Sequence, residues 1–237
     1  MMAQTAAPTI HSLRVRVVRV PMQHPHQTAS GAVSESPLVL TDVKMDNGVV
    51  GHSVVFTYTP AALKPTAELI QNIETLVKGE SLAPIEIEQK LAKRFRLLGT
   101  QGLVGMALSA IDMALWDALA RSHGTSLVRL LGGIEKPIPA YGAVGYDGVE
   151  GSAKVAEDWA KRGFSGIKAK IGYPTVQEDI AVVRAMRKAV GGSVAIMVDY
   201  NQSLTPSEAV QRIRALDDEG LTWAKSRRLP MITQVMR

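Results

Sequence analysis

The sequence predicts an α+β unit followed by repeated βα units whose strands run parallel. Two changes of rhythm carry that prediction. Up to Gly124, strand-like alternation gives way to helical periodicity, strands first and helices after, which is the order of an α+β domain. Beyond the bend at Pro137, Ile138 and Pro139, a strand pattern is followed by a helix pattern three times over. Parallel strands joined by helices of this length form either a doubly wound sheet or a (β/α) barrel.

Residues 11–22, HSLRVRVVRVPM, alternate apolar and basic side chains. The stretch SPLVLTDVKMDNGVVGHSVVFTYT reads as two strands around an Asp46-Asn47-Gly48 turn, so the opening is a small antiparallel sheet. Helical spacing follows at about 61–79 and 84–95. In LVGMALSAIDMALWDALARSHG, Val104, Leu108, Ile111, Leu115 and Leu119 recur at helical spacing, and Leu103, Met106, Ala110 and Met113 make much of the other face apolar. This helix is expected to be well buried, with its methionines used for packing, and to stop at Gly124. In the second part, strands are expected near 138–144, 165–171 and 194–199, and helices near 150–162, 175–190 and 206–219. Thr205, Pro206 and Glu208 supply an N-cap hydroxyl, a proline at the first helical position and a capping-box glutamate. Gly220 ends that helix, and LTW begins a fourth strand.

Composition narrows the function classes. With 46% hydrophobic and 21% charged residues in a chain of 237, the protein fits a folded, water-soluble class. No apolar run approaches the ~20 residues of a membrane span, and the N-terminus lacks the pattern of a secretory signal, so no membrane and a cytoplasmic location are expected. The chain has no cysteine, which removes disulfides, thiolate nucleophiles and cysteine zinc sites and leaves oxygen or imidazole to hold any metal. The net charge is +5, and Lys225, Arg227, Arg228 and Arg237 lie in residues 224–237 with no acid among them. The remaining body is nearly neutral and carries no basic stripe interleaved with aromatics, so no nucleic-acid partner is expected. His52, His123 and the other histidines show no metal-ligand spacing and read as surface or packing residues.

The chemistry concentrates in two consecutive strands. Lys168 and Lys170 in SGIKAKIGYP point to one face of a strand, opposite Ile167, Ala169 and Ile171. In VAIMVDYNQS the same alternation gives Asp199 and Asn201 a shared face at the end of the next strand. Taken alone, a K-x-K strand reads as a solvated face and an aspartate after a strand as a turn or cap residue. In successive βα units, however, helices cover the outer face, so the four polar groups are expected to converge on the other one. A lysine beside another cation becomes a base nearer neutral pH, its neighbour neutralises a substrate carboxylate, and an aspartate suits Mg²⁺. That set matches removal of a proton next to a carboxylate, with the enediolate stabilised by metal and hydrogen-bond donors.

The segments GIKAKIGYP, IMVDYNQSL, IDMALWDALA, GVVGHS and YTPAALK resemble the mandelate racemase family of the enolase superfamily, from about residue 12 to Trp223. The resemblance implies an α+β N-terminal capping domain over residues 1–135. It implies next, over residues 136–223, about three βα units as the first part of an incomplete (β/α)7β TIM-type barrel. It also implies that Lys170 is an acid/base catalyst, that Lys168 contacts the substrate carboxylate and depresses its neighbour's pKa, and that Asp199 is the first Mg²⁺ ligand. Asn201 is placed beside the substrate hydroxyl, with Tyr58, Val33 and His26 lining the cap side of the pocket. The implied substrate is a small 2-hydroxy acid or an acid sugar, since Ala143 stands where the family's racemase has a serine that helps bind the carboxylate. Homo-oligomers are common in the family. The alternatives are an acid-sugar dehydratase of the same superfamily and a non-catalytic binding or assembly module.

The family's fourth strand ends Glu-Glu-Pro, with the next metal ligand, whereas residues 224–237 read AKSRRLPMITQVMR, a basic tail outside the resemblance. Codons chosen among synonyms for this tail, read in a shifted frame, yield Glu-Glu-Pro-Thr-Leu-Ala-His. The expectation is therefore a frameshift near codon 224 that leaves a truncated chain of little or no activity, with an unclosed half-sheet and an incomplete Mg²⁺ site.

Overall fold

The computed structural model describes residues 7–28 and 31–225. The chain divides into two compact units, Met1–Met22 with Glu35–Lys136, and Gln23–Ser34 with Pro137–Arg237. Strands β1 (Ile10–Thr28), β2 (Gly31–Met45) and β3 (Val50–Phe56) form one sheet in that order, so β1 runs well past the expected residue 22. β2 and β3 pair antiparallel from Leu38 opposite Phe56 to Lys44 opposite Val50, around the expected turn. That turn closes with the Gly48 amide donating to the Met45 carbonyl at 3.1 Å, and Gly48 adopts a φ of +88°, a conformation that favours glycine.

Helices α1 (Pro60–Val77), α2 (Pro84–Arg94) and α3 (Gly102–Ser122) follow. α1 buries Leu63, Ile70, Ile73 and Val77 at helical spacing, and α2 buries Ile87 and Leu91. In α3 the buried stripe differs from the expected one. Ala107, Ala110, Ile111, Ala114, Leu115 and Ala118 are fully buried, whereas Leu103 and Met113 are 41% and 42% exposed. The reason is close approach of backbones, which large side chains would prevent. A Cβ on Gly51 of β3 would lie 1.9 Å from the Ala114 carbonyl oxygen and 2.8 Å from the Ala118 Cβ. Ser53 Oγ donates to the Ala110 carbonyl at 2.6 Å within the same contact. α3 is the one helix among the described residues with the length and apolar composition to cross a membrane, and this alanine stripe accounts for much of that apolarity. The short helix α4 (Leu127–Leu130) closes the region. On the exposed side of the sheet, His52 Nδ1 lies 2.8 Å from Asp42, which also receives Arg16 at 2.7 Å, the surface role expected of that histidine.

In the second unit, strands β4 (Gly142–Val144), β5 (Gly166–Lys170), β6 (Ala195–Asp199) and β7 (Trp223–Lys225) form a parallel sheet in sequence order. Helices α5 (Gly148–Lys161), α6 (Val176–Val190) and α7 (Pro206–Ala215) alternate with them. β4 is shorter than the expected 138–144, because residues 138–141 lie outside the ladder. α7 also stops early, at Ala215, and continues as a 3-10 turn over Asp217–Glu219 that Gly220 ends in the left-handed conformation. Val144, Ile167, Ala169, Ile196 and Val198 are all buried, packed with Ala156, Val182, Val183 and Met186 of the helices. The capping box at Thr205 and Glu208 forms as expected, and Thr175 with Glu178 forms a second one at the start of α6. Ala224 and Lys225, assigned to the tail by their sequence, instead pair with Val198 and Asp199 as strand residues. Residues 226–237 of that tail lie outside the described residues.

Replacing Gly51 by alanine should destabilise the protein by about 3 kcal/mol, since the added methyl meets helix backbone rather than a flexible side chain. Urea unfolding followed by circular dichroism measures this. A midpoint within error of the parent would show that β3 and α3 separate at little cost.

Candidate active site

Parallel register builds the site. Lys168 pairs with Ala143 on one side and Met197 on the other, and Met197 pairs with Trp223. One step further along, Lys170 pairs with Asp199 and Asp199 with Lys225. Side chains at paired positions share a face, so these two rows project away from the helices. Asp199 is nearly fully buried, with 2% of its side chain exposed, while Lys168 and Lys170 are 17% and 12% exposed. Both ammoniums lie 3.6 Å from Asp199 Oδ2, and the Lys225 ammonium lies 3.3 Å from the same oxygen. Asp199 Oδ1 accepts the Asn201 amide at 2.9 Å. Beside the first row, Lys168 Nζ stands 5.2 Å above the Tyr141 ring, which meets Trp223 edge-on at 6.4 Å.

Protonation follows from this geometry. Burial is the largest influence on Lys170 and pulls its pKa below the ordinary lysine value, against the attraction of Asp199. Lys168 adds to the depression, as expected from the K-x-K spacing, and Lys225 does so more weakly. For Asp199 the largest single influence, burial, favours the neutral acid, but the Asn201 amide and the ammoniums of Lys170 and Lys225 together outweigh it. The carboxyl is held below its usual 3.8.

The sequence expectations divide. Lys168, Lys170 and Asp199 come together. Asn201 contributes its backbone amide rather than a convergent side chain, because β6 ends at Asp199 and the chain turns through positive φ at Asn201 (48°) and Gln202 (65°). Alternation therefore fails after Asp199. Tyr58 follows β3 with a φ of 61°, is 72% exposed, and has its ring 4.8 Å from that of Phe56. Val33 lies half-buried on β2. His26 lies on β1, and its side chain falls outside the described residues.

A second aspartate escaped the sequence reading. Asp179 in the first turn of α6 is fully buried and accepts the Gly172 and Tyr173 amides at 2.8 and 2.9 Å on Oδ1. Its Oδ2 accepts Arg212 at 2.7 Å and the Tyr200 hydroxyl at 3.2 Å. Arg212 also donates to the Tyr173 carbonyl at 2.7 Å, and the Tyr173 ring stacks on Tyr146 at 4.0 Å. The clamp thus fixes the loop that leaves β5 immediately after Lys170. The available signal was spacing: Asp179, Val182, Val183 and Met186 fall on one helix face, so the aspartate had to be buried and paired.

A magnesium ion needs oxygen ligands, commonly a carboxylate or two with waters. Among the described residues no group of three or more His, Asp or Glu could hold a metal, and Asp199 is already engaged on both oxygens. By themselves the described residues do not fit a Mg²⁺ site.

Comparison with known proteins adds relatives. Residues 11–132 match the mandelate racemase / muconate lactonizing enzyme N-terminal domain, and residues 151–224 match the enolase C-terminal domain-like family. An L-Ala-D/L-Glu epimerase from Bacillus subtilis is 32% identical over 208 residues, which cover 86% of this chain and 56% of the epimerase. An arabinonate dehydratase from Saccharolobus solfataricus is 31% identical over 196 residues, 80% of this chain and 52% of the dehydratase. The crystal structure of an enolase from Bradyrhizobium complexed with magnesium and mandelic acid superposes with a TM-score of 0.83 at 42% identity, covering 94% of this chain and 62% of that one. The chain thus spans little more than half the length of the curated relatives it matches.

Two substitutions probe the site. Asp179→Ala should cost roughly 3–5 kcal/mol in urea unfolding, because it leaves the Arg212 charge buried against the Tyr173 carbonyl without its partner. Asp199→Asn should cost about 2–3 kcal/mol near neutral pH. Since folding lowers the Asp199 pKa, its contribution is present above the unfolded value of 3.8 and is lost as pH falls through the folded value. The gap between parent and variant, measured as unfolding free energy against pH, should therefore close in acid. A gap that stayed constant down to pH 2 would contradict this.

Proposed function

The chain belongs to the mandelate racemase / muconate lactonizing enzyme family, and from that premise we propose that it is the N-terminal portion of an enzyme that removes the α-proton of a 2-hydroxy carboxylate. One observation carries the reading: a half-buried amine pair and a buried carboxylate share the helix-free face of the sheet, at the end of its strands. In this reading Lys170 is the base, since burial lowers its pKa from the ordinary lysine value, and Lys168 holds the substrate carboxylate beside the aromatic edge of Tyr141. Asn201 adds its backbone amide, which donates to Asp199 Oδ1 beside this pair. Magnesium is bound in the Bradyrhizobium structure, and among the described residues Asp199 is the carboxylate that stands beside the two lysines. We assign the protein to the cytoplasm, as a homo-oligomer acting on 2-hydroxy acids.

The 237-residue chain by itself has little or no activity in this reading, because the described residues bring a single carboxylate to the lysines. An acid-sugar dehydratase is the second reading. It is favoured by Ala143 on the lysine row, which offers no hydroxyl to a substrate carboxylate, and by the likeness to arabinonate dehydratase.

Incubating the purified chain with 2-hydroxy acids and Mg²⁺ in D₂O should give no α-deuterium above the protein-free control, by NMR. Robust exchange would overturn the inactivity, not the family. In a chimera that joins residues 1–223 to the remaining barrel of a full-length relative, exchange should appear, and Lys170→Ala should lower it by about 10²–10⁴-fold. Exchange unchanged by that substitution would remove Lys170 from the chemistry, and loss of water without exchange would identify the dehydratase.

A further inference from the structure

Lys225 is the feature of this face that the proposed function does not use. It ends β7 directly beside Asp199 in the ladder, and its backbone carbonyl accepts the Tyr200 amide at 2.9 Å, so its position is set by main-chain pairing. Its ammonium makes the closest ion pair to Asp199 Oδ2, at 3.3 Å against 3.6 Å for Lys168 and Lys170. Three ammoniums therefore surround one oxygen, and the Asn201 amide occupies the other. A divalent cation has to approach a carboxylate oxygen to ~2.1 Å. Here it would enter a space already holding three positive charges, with one negative charge to share and no second carboxylate among the described residues. Lysine is a compact point charge on a flexible stem, so Lys225 reaches the carboxylate from the solvent side, where 55% of its side chain stays exposed.

We infer that Lys225 is the resident counter-cation of Asp199 and keeps divalent metal ions off it in this chain. The inference shares the site with the proposed function but rests on ion-pair geometry alone, so a failure of the proton-abstraction reading leaves it standing.

Manganese is the probe, because the electron paramagnetic resonance signal of free Mn²⁺ falls on binding. The 237-residue chain and its Asp199→Asn variant should bind Mn²⁺ indistinguishably up to millimolar concentration. Lys225→Glu should create a site at least tenfold tighter, lost again in the double variant with Asp199→Asn. Lys225→Gln, which removes the ammonium without adding a ligand, should show a smaller gain that also depends on Asp199. Circular dichroism checks that each variant folds, and the exposure of Lys225 makes substitution there tolerable. A one-to-one Mn²⁺ site in the parent that Asp199→Asn abolishes would overturn the inference. So would Lys225→Glu and Lys225→Gln variants that are folded yet bind no more Mn²⁺ than the parent.

Discussion

A carboxylate with 2% of its side chain exposed must be neutralised where it sits, and the register of three parallel strands decides by what. Asp199 has Lys170 on one side and Lys225 on the other because β5, β6 and β7 pair without offset at that level. The amide of Ile171 donates to the Asp199 carbonyl at 3.2 Å, and the amide of Tyr200 to the Lys225 carbonyl at 2.9 Å, so the ladder extends just past the site. A slip of one residue in β5 would present Ala169 or Ile171 to the carboxylate and turn the lysines toward the helices. The apolar packing of Ile167 and Ala169 against α5 and α6 and the charge balance at Asp199 therefore enforce one register from opposite faces.

The two buried aspartates of the second unit do different work with the same functional group. Asp179 accepts four hydrogen bonds, three of them between 2.7 and 2.9 Å, from two backbone amides, a guanidinium and a hydroxyl that have fixed directions. That is a structural clamp, and it holds the loop after Lys170 in one conformation. Asp199 faces ammoniums at 3.3–3.6 Å, beyond the best hydrogen-bond distance, on side chains with rotatable stems. The first arrangement is directional and the second electrostatic. Rigid support beside adaptable charge is what a site needs if its amines are to follow an arriving anionic group while their backbone stays still.

How much of this was legible in the sequence follows from which interactions are local. The order of elements was legible because periodicity is local, and the Thr205 capping box could be read from four adjacent residues. The convergence of Lys168, Lys170 and Asp199 was legible because strand alternation holds within β5 and β6. It failed at Asn201, one residue past the ladder, where positive φ redirects the chain. The alanine stripe of α3 is not legible from apolar size, because close approach and not side-chain bulk selects it. The fit between Gly51 and Ala114 exists only once β3 meets the helix. Lys225 was hidden for a similar reason. By composition it belongs to a basic tail, and only strand pairing sets it against Asp199.

That pairing has a consequence for the sign of the field over the whole face. At an effective dielectric near 20, one ammonium about 4 Å from a carboxylate is stabilised by about 4 kcal/mol, and two ammoniums at that separation repel by as much. One carboxylate therefore satisfies its first amine fully, and each further amine gains less. The exposures follow that order of need: Lys170 and Lys168 remain largely covered, while Lys225 keeps 55% of its side chain in solvent, which screens what Asp199 cannot neutralise. With three ammoniums against one carboxylate the face stays positive, and the aromatic edge of Tyr141 and Trp223 borders it. An anionic group arriving there would lower that field, and a further cation would raise it.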